Sequence, residues 1–134
     1  MPVTTTINPQ SKRVRATIAQ VNAGLELLPA LPGYKYRMQN MQAISVGGAA
    51  GAVTTVDVLG TQSAASVKLA AFGQAALTQS TVLRPGVSGC TVLADGDSFV
   101  ACDANTAITV GKTGSSVTTA THIDIDLTYT VEAA

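Results

Sequence analysis

The chain has no tryptophan, one histidine, two cysteines and five aromatic residues in 134 positions, and only 12% of it is charged. Catalysis works through positioned acids, bases, nucleophiles or metals, and so small a stock of them points away from an enzyme. The absences are specific. Two cysteines and one distant histidine do not make a zinc site. No G-x-S-x-G elbow accompanies Ser, His and Asp, and no phosphate-binding glycine loop opens a helix. No dense basic run with interleaved aromatics suggests nucleic acid. No apolar stretch reaches the length of a membrane span; the nearest, Ala43 to Val58, is interrupted by Gly47, Gly48 and Gly51. The start, Met1-Pro2-Val3-Thr4, lacks the pattern of a secretory signal, so folding in a cytoplasm is expected. We therefore expect no catalytic, cofactor-binding or metal-binding residues.

What fills the chain instead is 21 Ala, 18 Thr, 15 Val and 12 Gly. β-Branched residues suit a pleated sheet. An apolar fraction of 46% with so little charge suits a surface partly shared with other chains. Net charge is zero but segregated. Residues 1–40 hold Lys12, Arg13, Arg15, Lys35 and Arg37 against Glu26; the remainder is acidic by the same margin. Such a split allows complementary contact between copies or with an acidic partner; scattered solvated charges would produce it equally well.

Period-2 alternation is clearest at the end. Ile123, Ile125, Leu127, Tyr129 and Val131 fall on one face of His122–Glu132, with His122, Asp124, Asp126, Thr128, Thr130 and Glu132 on the other. His122, Asp124 and Asp126 share that polar face, which reads as the wet side of a sheet rather than a metal site. Asp95-Gly96-Asp97-Ser98 reads as a turn, since it lacks the alternating oxygens and closing Glu of a calcium loop. Further strands are expected at Val14–Val21, Leu25–Leu28, Tyr34–Val46 with a bulge after Asn40, Val53–Leu59, Ser66–Phe72, Cys90–Leu93, Phe99–Cys102 and Thr106–Val110. Turns are expected at Asn22–Gly24, Pro29–Gly33, Arg84–Gly86 and Gly111–Ser116. Cys90 and Cys102 read as free thiols, although their spacing also suits facing positions across a hairpin. The fold class is all-β: a jelly roll or β-sandwich of about seven to nine antiparallel strands. Residues 1–13 form an extended arm and 14–134 a single domain.

The order of segments resembles a known class. Arg15-Ala16-Thr17-Ile18-Ala19-Gln20-Val21-Asn22-Ala23-Gly24 leads to Leu27-Leu28-Pro29-Ala30 and then Tyr34-Lys35-Tyr36-Arg37. Later come Ala76 to Gly86, Ala104 to Gly111 and Ala120 to Ile125. This arrangement resembles small β-rich virion proteins of tailed bacteriophages, of the capsid decoration or cement type. The resemblance implies a non-enzymatic structural protein on the capsid exterior. It would bridge neighbouring subunits of a major capsid protein as a homo-oligomer, dimer or trimer, with no cofactor, nucleic acid or membrane as partner. Lys12, Arg13 and Arg15, in an arm spanning residues 1–15, are the first candidate contacts; Tyr34, Lys35, Tyr36 and Arg37 are the second. A tail, neck or fibre component, or a receptor-binding glycan module, is the alternative.

Overall fold

The computed structural model describes residues 9–134, and the architecture is a β-sandwich of eight antiparallel strands. Strand β1 is Gln10–Thr17, β2 Leu25–Leu28, β3 Tyr34–Val46, β4 Val53–Gln62, β5 Ala65–Gly73, β6 Cys90–Val92, β7 Ile108–Gly114 and β8 His122–Ala133; a short helix, α1, spans Ile18–Ala23. One sheet runs β1-β8-β3 and the other β2-β7-β4-β5-β6. The pairs are nested: β1 with β8, β2 with β7, β4 with β5. A fourth pairing is reduced to a single bridge between Ala43 of β3 and Leu83. This is jelly-roll nesting with one strand pair shortened to one rung.

The core lies between the sheets. Ile123, Ile125, Leu127 and Tyr129 of β8 meet Val56, Val58, Leu69, Phe72, Ile108 and Val110 of the opposite sheet. Tyr36 and Tyr129 pack edge to face, with centroids 5.6 Å apart and planes at 81°. The β3 bulge falls between Met38 and Asn40, earlier than expected. Its extra residue explains how Met38 and Met41, three positions apart, are both buried.

Other departures have local causes. The first strand starts at Gln10, so residues 10–13, expected in the arm, belong to the sheet; residues 1–8 of that arm lie outside the described residues. It also ends at Thr17, because Thr17 caps a helix. Its hydroxyl accepts from Gln20 N while Gln20 Oε1 accepts from Thr17 N. Gly24, at φ 88°, then closes that helix in a conformation that side chains disfavour. The expected strand Phe99–Cys102 has only one bridge, Ala101 with Arg37, and a 3-10 segment, Ala94–Phe99, precedes it. Gly111, expected in a turn, continues β7 opposite Asp57 of β4. Cys90 and Cys102 are both free thiols. Burial pushes Cys90 up to about 11 and raises Cys102 as well, so both stay protonated near neutrality.

Candidate assembly surface

The outer face of the three-stranded sheet is a charge ladder. Cross-strand register sets Arg13 opposite Asp126 and Arg15 opposite Asp124. Each pair is bidentate: Arg13 Nε and Nη2 lie 2.7 and 2.8 Å from the Asp126 oxygens, and Arg15 Nε and Nη2 both lie 2.9 Å from those of Asp124. On the far side of β8, Arg37 Nε donates to Glu132 at 2.6 Å, and its Nη1 reaches the carbonyl of Phe99 at 3.3 Å. The basic N-terminal portion is thus matched against the acidic C-terminal strand inside one molecule. The segregation of charge along the sequence reports strand pairing within the chain.

This settles where each candidate contact sits. Arg13, Arg15 and Arg37 are committed to carboxylates. Lys12 spans the gap between the sheets and donates its ammonium to the Leu27 carbonyl of β2 at 2.8 Å. Tyr36 is 3% exposed and its hydroxyl donates to the Pro29 carbonyl, so its ring and its hydroxyl are both used inside the fold. Lys35 is half-buried opposite Glu132. Tyr34 stands out at the head of β3, 50% exposed. Of the acidic residues on the polar face of β8, Asp124 and Asp126 are both held by arginines. Among the described residues no group of three His, Cys, Asp or Glu is placed to hold a metal ion. A shallow depression of about 280 Å³ runs beside Arg13 and Asp126, lined also by Ser11, Asn40, Gln42 and Thr128, without an aromatic ring.

The edges of the sheets are occupied or short. Lys12 sits across the β1–β2 side, β2 has four residues and β6 three, which discourages strand addition there. The free side of β3 is flanked by two other segments. Leu83 N and O bond with Ala43 at 2.9 Å each, while Cys102 N and Asn105 N donate to the carbonyls of Tyr36 and Tyr34. All three large hydrophobics that stay exposed among the described residues, Tyr34, Val82 and Val100, lie on this margin. The two bridges that anchor it, at Arg37 and Ala43, are about 17 Å apart along the strand.

Charge on the margin is left open at both ends. Arg84, beside Val82, has no carboxylate partner among the described residues. Asp95 and Asp97 stand exposed in the 3-10 segment leading to Val100, and their carboxylates accept no hydrogen bond there. Sequence reasoning reached only Tyr34. Val82, Arg84 and Val100 lie in connections without periodicity, and nothing in the sequence marks them as neighbours until β3 gathers them.

The five-stranded sheet has its own polar feature. Asp57 is 1% exposed although it lies on the outer face. Its two oxygens accept from the Thr55 and Thr113 hydroxyls at 2.7 and 2.6 Å, and Lys68 donates to Thr113 at 2.7 Å. Both carboxylate oxygens of Asp57 are thus matched within the chain, which marks the network as internal support for the sheet.

No protein-family model matches this chain, and no curated protein matches it.

Proposed function

We propose that this protein is a non-enzymatic structural component of a tailed-phage virion, decorating the capsid exterior and bridging neighbouring subunits of the major capsid protein. The residue pattern described above supports that class, and a β-sandwich agrees with the fold the class implies. The observation that carries the reading is the β3 margin. Three exposed apolar side chains and unpaired charges of both signs are gathered on one side of a molecule whose other charges are largely matched internally. A surface of that kind suits association with other copies or chains.

The mechanism is mechanical. The margin joins copies into an oligomer, and the N-terminal portion reaches the capsid. Because β1 lies across its sheet from β3, copies joined at β3 carry their β1 strands outermost. Two weak attachments then act at high effective concentration and hold two capsid subunits together.

Cosedimentation with purified capsids tests this reading. Saturable binding, at copy numbers in the hundreds per particle, is the expected result; about a dozen copies or fewer would instead indicate a tail or neck component with lower rotational symmetry. Saturable binding to a defined sugar, without capsid binding, would replace the reading with a glycan-binding one. Deleting residues 2–8 should abolish capsid binding while preserving the fold. A longer deletion to residue 12 is unsuitable, because it removes the first rungs of β1 and the Lys12 tie to Leu27.

A further inference from the structure

We propose that the β3 margin is the interface of a two-fold symmetric dimer, with a second copy of this chain seated antiparallel on it. The inference rests on the assembly role just proposed for this margin and names its occupant. A two-fold interface must be self-complementary: if residue i meets j, then j meets i. This margin meets that condition. One end carries Val82 with the cation Arg84; the other carries Val100 and Tyr34 with the anions Asp95 and Asp97. Turning a second copy end for end about the middle of β3 sets Arg84 against the partner's Asp97 and Val82 against the apolar end. The dyad then makes both contacts twice. A parallel, side-by-side arrangement would instead bring like charges together at both ends.

The other surfaces fit a second copy less well. On the outer face of the three-stranded sheet the charges of β1 and β8 are already paired in bidentate geometry, so a partner there would compete with internal bonds. On the outer face of the five-stranded sheet the Asp57 network is closed on itself.

Sedimentation equilibrium of the purified full chain tests the dimer. At about 100 μM the parent should run at twice the 13.5 kDa chain mass. Arg84→Glu and Asp97→Arg should each shift toward monomer, with the dimer Kd raised at least about tenfold by the opposed charges. The two single variants mixed in equal amounts should recover the dimer, since each then offers the charge that the other lacks; the double variant should recover it alone. Urea midpoints close to the parent's would show that the variants fold. A monomeric parent, a mass of three or more copies, an unaffected Arg84→Glu dimer, or a mixture that fails to associate would each overturn the interface. Capsid cosedimentation is scored separately. A monomeric parent that still binds capsids overturns this interface alone, and a dimeric parent that fails to bind capsids overturns only the capsid reading.

Discussion

Arg15 and Asp124 face each other across β1 and β8, 109 positions apart in sequence, with both nitrogen–oxygen distances at 2.9 Å. Their exposures are unequal: the arginine side chain is 58% exposed and the aspartate 6%. The two partners therefore suffer differently when the other is lost. Arg15→Met keeps an apolar stem over the carboxylate and leaves a shielded charge unpaired, which should make it the more damaging of the two changes. Asp124→Asn leaves a guanidinium already open to water and should cost less. Urea denaturation of the two variants orders them, and a larger loss for Asp124→Asn would contradict the asymmetry.

Strand content was legible where side chains alternate, and β8 shows why. Its apolar residues all lie on one face, so one register alone buries them. The β3 strand was legible in extent for the same reason, while its bulge was displaced because Gln39 and Asn40 are both polar and either could be the extra residue. Ile18 to Val21 was lost as strand because a capping box is a pattern of two residues, and the spacing of three between Ile18 and Val21, which suits one face of a helix and not one face of a strand, is a single short pair. The exposed margin beside β3 was hardly legible. Tyr34, Val82 and Val100 come from three separate segments, and only pairing along β3 brings them to one side. The arginine cluster, prominent in sequence, proved to be answered by β8, whose acids are more than 100 positions away.

Thr113 holds the Asp57 network together from β7. Its hydroxyl accepts from Lys68 and donates to Asp57, whereas Thr55 makes only one bond to the same carboxylate. Thr113→Val keeps the shape, deprives the buried carboxylate of a donor and removes the hydroxyl that Lys68 bonds, leaving only the 3.9 Å approach of the ammonium to Asp57, so a loss of about 2 kcal/mol is expected. Thr55→Val removes one donor and should cost about 1 kcal/mol. Thermal unfolding of the two single variants checks the order, and equal losses would mean that Lys68 adds nothing through Thr113.

Acid should weaken the fold through Glu132. The hydrogen bond from Arg37, helped by that guanidinium's charge and by Lys35, holds the Glu132 carboxyl below its ordinary value of 4.5 against the opposing effect of burial. A carboxyl lowered in the folded state contributes stability that is present above its unfolded value and is lost as pH falls through the folded one. The contribution should therefore be complete at neutral pH and decline below about pH 4.5. Urea midpoints measured from pH 7 to pH 3 should fall less steeply for Glu132→Gln than for the parent, with the two converging at the acid end. Parallel curves would show that this pair carries none of the acid sensitivity.

Gly60 sits in β4 where the two sheets leave no room for a side chain. A methyl group there would come within 2.8 Å of Leu69 Cδ1, 3.0 Å of Cys102 Sγ and 3.3 Å of Ile108 Cδ1, and all three of those residues are buried. Its backbone is not in the left-handed region, so Gly60→Ala isolates the steric effect from conformational strain. Each neighbour is the end of a side chain and can yield somewhat, but within a packed interior each must push on others. A loss of about 1–2 kcal/mol is expected. Shortening the nearest neighbour should return part of it: Gly60→Ala with Leu69→Val should be less damaging than the sum of the two single changes, by about 0.5–1 kcal/mol. Denaturant titrations of the four chains measure that difference directly. Strict additivity would mean that the methyl group is accommodated by movement of β4 rather than by compression against Leu69.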